Sequence, residues 1–115
     1  MSDLQCPATF YVRAPAPEEQ VPLPVGSDDE RIVLVWSAPS RLGLARRLAA
    51  ELGCDAREDE DLAGDVVAAL EALSDLHRGE SVVALPAGAY PGHPAGAWLR
   101  VRIDADGTAV TVVEG

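Results

Sequence analysis

The chain has 115 residues, a length that fits one domain, and 48% of them are hydrophobic, which excludes an intrinsically disordered protein. Its 19 acidic residues outnumber 9 arginines, and the net charge of −10 argues against nucleic acid and anionic membranes as partners. We find neither an N-terminal signal sequence nor an apolar run of membrane-spanning length, so the sequence predicts a cytoplasmic protein that needs no metal or disulfide to fold.

The first half of the chain predicts two strands and a helix. Ala8 to Arg13 is rich in β-branched and aromatic residues and predicts the first strand. The next segment, 14–30, is too rich in proline for a long helix. Arg31 to Trp36 is an apolar strand of the kind buried in a parallel sheet, and a helix from about Pro39 should end at Gly53. The apolar stripe of that helix comprises Leu42, Ala45, Leu48, Ala49 and Leu52.

A second helix and two more strands follow. A short strand near 54–57 leads through an acidic run to a helix over Asp61 to His77. Ser81 to Leu85 predicts a strand that opens into a loop rich in proline and glycine. The apolar stripe of the helix comprises Leu62, Val66, Ala69, Leu70, Leu73 and Leu76.

The chain closes with a predicted β-hairpin. Trp98 to Ile103 and Thr108 to Val113 alternate in polarity around an Asp-Gly turn. Asp104 and Asp106 beside Gly107 resemble part of a calcium loop, but no distal glutamate follows, so the pattern favours a turn.

A zinc site is likewise not predicted. The four candidate ligands lack the paired spacing of known zinc motifs, which favours buried cysteines and surface histidines; they are Cys6, Cys54, His77 and His93. We therefore predict no metal and no cofactor.

The order of these elements predicts an α/β fold. We expect a mostly parallel twisted sheet with two main helices and a C-terminal β-hairpin, all within a single domain over residues 1–115.

Four sequence blocks resemble the histidine phosphatase (phosphoglycerate mutase-like) superfamily and occur in its order. They are "CPATFYVRAPA", "VWSAPSRLGLARRLAAELG", "ALEALSDLHRGESVVALPAGA" and the hairpin "AWLRVRIDADGTAVTVVEG". The resemblance implies a shortened phosphoglycerate mutase-like domain, derived from a three-layer fold, with its site at the carboxyl ends of the strands.

The chain departs from that family at the residues that carry the chemistry. Arg13 matches the first arginine of the family's Arg-His-Gly-Glu block, but Ala14 stands in place of the nucleophilic histidine. Ala87, followed by Gly88, replaces the second histidine. The resemblance therefore implies a degenerate site and no enzyme activity. Arg13 and Arg41 remain as candidate phosphate-binding residues.

Three other side chains could in principle belong to that site, and the sequence gives an expectation for each. Arg41 follows Pro39 by two residues where the family has three, and one residue of helix turns a side chain by about 100°, so we expect Arg41 to point away from the site. His77 fits a cation at the end of the second helix. His93 lies in a loop from which it could approach Arg13.

These features predict a non-catalytic module for protein interaction or regulation, and a homodimer is one form of it. Because the proline-rich segment 14–30 supplies no apolar helix, one sheet face should be thinly covered. Tyr11, Trp36 and Trp98 are candidate interface aromatics, although core packing is favoured for each. The alternative is a protein that binds a phosphorylated small molecule through Arg13 without turnover.

Overall fold

A computed structural model describes residues 7–15, 31–93 and 97–113. Six strands form one sheet in the order β3-β2-β4-β1-β5-β6. Two helices pack on it. The elements in chain order are β1 (Ala8–Val12), β2 (Ile32–Ser37), α1 (Leu42–Leu52), β3 (Asp55–Glu58), α2 (Val66–Ser74), β4 (Ser81–Leu85), β5 (Trp98–Asp104) and β6 (Gly107–Val113).

The sheet is mostly parallel, as the sequence predicts. β3, β2, β4 and β1 pair in parallel, whereas β5 runs antiparallel to β1 and β6 antiparallel to β5. The chain moves outward from β2 to β3 through α1 and returns to β4 through α2. Because such crossovers are right-handed, two connections in opposite directions place their helices on opposite faces of the sheet. The mixed α/β fold with a terminal hairpin is therefore confirmed.

Each face of the sheet has its own apolar cluster. The face covered by α2 includes Phe10, Val82 and Val101, together with Leu70 and Leu73 of the helix. The face covered by α1 includes Tyr11, Val83 and Trp98 together with Leu48. Alternate residues of β1 and β4 thus point to opposite faces, which explains why both strands read as continuous apolar runs.

The first helix follows the sequence prediction closely. Residues Pro39–Arg41 form a 3-10 turn, and α1 continues from Leu42 to Leu52. Gly53 ends it with φ 75°, and its N–H donates to the carbonyl of Ala49. Ala45, Leu48 and Ala49 are buried, as predicted, because they lie on the face toward the sheet.

The predicted second helix is too long. Residues Glu60–Ala63 form a separate 3-10 turn, and α2 starts only after Asp65, whose carboxylate accepts from the N–H of Ala68. Asp65 separates the two helical segments, because its carboxylate accepts a hydrogen bond from a backbone N–H in the first turn of α2 that has no partner within the helix. The helix ends at Ser74, so Leu76 lies beyond it and is 66% exposed. The prediction of Leu76 as part of the buried stripe is wrong.

The hairpin turn is a hydrogen-bonded aspartate turn. Oδ1 of Asp104 accepts from the backbone N–H groups of Asp106 and Gly107 at 2.8 and 3.1 Å. A carboxylate used in this way stabilises the turn itself, as the sequence suggested.

Neither helix of the described chain has the length and apolar character needed to cross a membrane.

Candidate functional site at the carboxyl ends of the parallel strands

Three parallel strands end side by side at the edge where an α/β sheet usually carries its site. Backbone hydrogen bonds hold the segments that leave them. The N–H of Ala38, after β2, donates to the carbonyl of Leu85 at 2.9 Å, and the N–H of Ala87, after β4, donates to Leu62 at 3.0 Å. The N–H of Arg13, after β1, donates to the carbonyl of Ala84 at 3.4 Å, so backbone hydrogen bonds hold each of the three segments at this edge.

Arg13, directly after β1, is buried at this edge. Only 4% of its surface is exposed, and its guanidinium carbon lies 5.5 Å from the centre of the Trp98 ring. Trp98 is itself fully buried at the start of β5. The contact is a cation–π interaction, which holds the guanidinium against the core.

Arg41 points toward this edge and not away from it. Its Nη1 donates to the carbonyl oxygens of Arg13 and Pro86, the second at 3.1 Å. The sequence expectation is wrong because Pro39–Arg41 is a 3-10 turn, whose angular step differs from the α-helical step used to place the side chain. Arg41 thus ties together the chain leaving β1 and the chain leaving β4.

Small side chains occupy the positions where the resemblance places histidines. Ala14 is 5% exposed beside Arg13, while Ala87 and Gly88 are exposed after β4. Ser37, the last residue of β2, carries a hydroxyl at this edge that the sequence prediction did not include. It is fully buried and donates to the carbonyl of Ala38 at 2.7 Å. Burial and this local bond keep Ser37 from acting as an accessible nucleophile.

His93 packs against Tyr90. Their rings are in an edge-on arrangement with centroids 5.7 Å apart. The backbone N–H of His93 donates to the backbone carbonyl of Tyr90. Tyr90 belongs to the apolar cluster beneath α2, where burial and the nearby Glu71 carboxylate raise the pKa of its hydroxyl. The imidazole therefore rests on a core residue of the α2 face.

His77 has a different role from the one predicted. It lies beyond the end of α2, is 8% exposed, and accepts a hydrogen bond at Nε2 from Nε1 of Trp36 at 2.9 Å. Indole nitrogen is only a donor, so Nδ1 carries the proton and donates to Glu80 at 3.0 Å. The imidazole connects β2 to the turn before β4. The prediction that His77 is a surface residue is wrong, because the side chain is buried just beyond the end of α2.

The candidate interface aromatics separate into two groups. Tyr11 and Trp98 are fully buried in the cluster beneath α1, so the core packing favoured for them is confirmed. Trp36 is half-buried on the other face, where its indole N–H is bonded to His77. Of segment 14–30, only 14 and 15 lie within the described residues, so the expected thin cover of one face stays a prediction.

Cys54 lies at the opposite, amino-terminal edge of the sheet, after α1. It is a free, half-buried thiol, and burial, with a smaller contribution from Asp55, raises its pKa. The other cysteine among the four candidate zinc ligands, Cys6, lies outside the described residues. Within those residues, no three acidic, histidine or cysteine side chains are grouped as metal ligands.

Comparisons of this chain with protein-family models, with curated proteins and with solved structures give no match. What the structure defines is a class of fold, a mixed α/β domain with two arginines at the carboxyl edge of its sheet. The resemblance to histidine phosphatases rests on the four sequence blocks.

Proposed function

We propose that this chain is a non-catalytic, phosphatase-like domain that acts as a protein-interaction or regulatory module. The observation that carries the proposal is that both arginines at this edge of the sheet make contacts within the protein. The guanidinium of Arg13 packs on Trp98 in the core, and that of Arg41 donates to two backbone carbonyls. Both groups contribute to holding the edge of the sheet together.

The chemistry at this edge supports the same proposal. Phosphoryl transfer through a protein intermediate needs a nucleophile with a free electron pair held in line with the phosphorus atom. Methyl groups at Ala14 and Ala87 offer none, and the Ser37 hydroxyl is buried. His93 is engaged with Tyr90 on the α2 face.

The alternative, a binding protein for a phosphorylated small molecule, has less support from the geometry. A phosphate site needs guanidinium donors that an anion can reach from solvent. At 4% exposure, Arg13 offers little of its surface to an anion arriving from solvent.

The acidic composition and the reduced thiol complete the proposal. A net charge of −10 disfavours nucleic acid as a partner, and the free Cys54 fits a cytoplasmic chain. The partner is then a protein, either another chain or a second copy of this one.

Turnover assays test the absence of catalysis. Purified protein incubated with p-nitrophenyl phosphate and with a panel of phosphorylated metabolites should release no phosphate above the buffer rate. A rate that is lost in Arg13→Met, with the variant shown to be folded by circular dichroism, would overturn the proposal. Arg46→Met is the matched control, because Arg46 is exposed on α1 away from the site.

A thermal-shift screen separates the proposal from its alternative. Sugar phosphates and phosphoglycerate should leave the unfolding temperature unchanged. Stabilisation that grows with ligand concentration in the parent chain and in Arg46→Met, but not in Arg13→Met, would favour the binding protein.

A further inference from the structure

The two outer edges of the sheet differ in length and in charge, two properties that control pairing between strands. β3, at one edge, has four residues, and three of them are charged, Asp55, Arg57 and Glu58. β6, at the other edge, has seven residues, none charged and none proline. Charged and short edge strands resist pairing with another chain, whereas a long uncharged edge invites it.

β6 is also open to solvent. Its side chains are exposed or half-buried along the whole strand, and Val112 is 52% exposed. Within residues 7–15, 31–93 and 97–113, no strand lies beyond β6. One edge of β6 is paired with β5 over its full length, and among the described residues no strand pairs with the backbone groups of the other edge.

We propose that β6 pairs antiparallel with β6 of a second copy about a two-fold axis at Val110. The inference rests on the proposed function as an interaction module and identifies the partner and the surface. With Val110 opposite its own copy, Thr108 faces Val112 and Gly107 faces Val113 of the second copy. The pairing joins two six-stranded sheets into one of twelve.

Charge makes β6 the surface at which a second copy of this chain can dock. The chain carries a net charge of −10, so two copies repel each other across most surfaces, but β6 itself has no charged side chain, and the acids Asp106 and Glu114 lie only at its two ends in the sequence. The nearest arginines lie on β5, where Arg102 pairs with Ala109 and Arg100 with Thr111. Across the dimer these arginines are three strand spacings apart, about 14 Å, which exceeds the screening length of about 8 Å at physiological salt.

A two-fold dimer also leaves no open β6 edge, which favours a second copy over a strand from another protein. A two-fold contact uses the open edges of both copies at once, so the resulting sheet ends in the charged β3 on each side. A strand from an unrelated protein would cover one β6 only. The contact is smaller than the standard interface of about 800 Å² per partner, so we expect a reversible dimer that depends on concentration.

Sedimentation equilibrium at increasing protein concentration tests the pairing. The average mass should rise toward that of two chains, and the dimer should be stronger at 300 mM than at 20 mM NaCl because salt screens the repulsion between acidic copies. A chain that stays monomeric at millimolar concentration at both salts would overturn the inference.

Charge exchange at the facing pair tests the location. Thr108→Lys with Val112→Lys places like charges opposite each other in the dimer, and the dissociation constant should rise at least about tenfold. Thr108→Glu with Val112→Lys should restore the parent constant to within about threefold, because opposite charges then face each other. The two positions are four residues apart on one strand, so they do not pair within one copy.

A matched control separates the facing pair from net charge. Ala50→Lys with Ala72→Lys adds the same two charges at exposed positions on α1 and α2 and should not weaken the dimer. Circular dichroism and thermal melting at dilution verify that each variant is folded. A dimer insensitive to all three double substitutions would overturn the proposed surface.

Disulfide trapping tests the register. In a background with Cys6→Ser and Cys54→Ser, Val110→Cys should form a covalent dimer on oxidation, because the two copies of position 110 face each other at about 5 Å. Ala109→Cys should not, because its copies are offset by two residues and lie more than about 7 Å apart. Equal trapping at both positions would overturn the two-fold register. Phosphatase turnover by the parent chain would refute the proposed function without affecting these results.

Discussion

At the residue scale, the two arginines show how a side chain suited to anion binding becomes part of the scaffold. A guanidinium has five donors in a fixed fork, which suits it equally to phosphate and to backbone carbonyls. Arg41 joins the chain after β1 to the chain after β4, and Arg13 packs on Trp98. Their contribution should therefore appear in stability before it appears in any ligand affinity.

Replacing Arg41 should destabilise the fold. Arg41→Met keeps most of the aliphatic stem but removes the donors to Arg13 and Pro86, and hydrogen bonds to charged groups contribute about 1.5–3 kcal/mol. We expect a loss of about 2 kcal/mol in the free energy of unfolding, measured by urea denaturation. Arg46→Met, at an exposed position of α1, should cost less than about 0.5 kcal/mol, and equal losses in the two variants would contradict the role of Arg41.

The hydrogen bond between Trp36 and His77 should be measurable by a double-mutant cycle. Trp36→Phe removes the donor and His77→Leu removes the acceptor of a part-buried bond. Each change alone leaves a polar partner unsatisfied, so the coupling free energy should be about 1 kcal/mol. Urea denaturation of the parent, the two single variants and the double variant gives this value. Strictly additive losses would show that the two side chains do not stabilise each other.

Cys54 should react slowly with alkylating reagents. Burial, and secondly the Asp55 carboxylate, raise the pKa of its thiol, so the reactive thiolate is scarce at neutral pH. In Cys6→Ser, the alkylation rate should rise with pH at a higher midpoint than in a peptide of the same local sequence. Asp55→Asn should lower that midpoint only partly, because burial is the larger cause. A midpoint at or below that of the peptide would contradict this assignment.

The same shift fixes the sign of a stability change with pH. Since the folded-state pKa of Cys54 is raised, its contribution to stability is intact below the ordinary thiol pKa and is lost as pH rises through the folded value. Cys54→Ser should flatten the decline of stability at alkaline pH.

At the element scale, one glycine within α1 and one at its C-terminal cap have opposite conformational requirements. Gly53 caps the helix at φ 75°, a conformation that costs other residues about 1 kcal/mol or more, whereas Gly43 lies within the helix and a Cβ there meets no atom within 4 Å. Gly53→Ala should therefore destabilise by about 1 kcal/mol, and Gly43→Ala should stabilise by about 0.5 kcal/mol. Thermal unfolding of both variants checks the pair, and the same sign in both would contradict the assigned cap.

The elements that the sequence predicts well are those with local signals. β4 has the bounds read from its apolar run, and Gly53 ends α1 as expected. The sequence predicts the second helix too long because the apolar period continues across Asp65, although the N-cap at that residue starts a new helix. Hydrophobic periodicity depends only on the positions of apolar side chains. It therefore does not show where a side chain caps a backbone N–H and begins a new helix.

The candidate site was harder to predict than the fold because its contacts are distant in sequence. Arg41 meets Arg13 across 28 residues and Pro86 across 45, and Trp36 meets His77 across 41. No motif encodes such pairs. The orientation of Arg41 also depended on a 3-10 turn, which a helical wheel begun at Pro39 places incorrectly.

At the scale of the whole molecule, the acidic excess should limit stability at low salt. A net charge of −10 on 115 residues destabilises the compact state by self-repulsion. Residues 58–61 concentrate four acids between β3 and α2, and Glu58 and Glu60 are both exposed. Salt shortens the range of these interactions from about 30 Å at 0.01 M to about 10 Å at 0.1 M.

We therefore expect the unfolding temperature to rise when NaCl is increased from 10 to 100 mM, at a protein concentration low enough to keep the chain monomeric. For a chain of this length, a rise of about 4 °C corresponds to a gain of about 1 kcal/mol. Glu58→Gln with Glu60→Gln should raise the unfolding temperature at 10 mM NaCl and reduce its dependence on salt, because two repelling charges are removed. Asp59 is left intact in this variant, since its carboxylate accepts from the N–H of Asp61. A temperature that falls with added salt would mean that attractive ion pairs outweigh the repulsion, and the acidic run would then stabilise the fold.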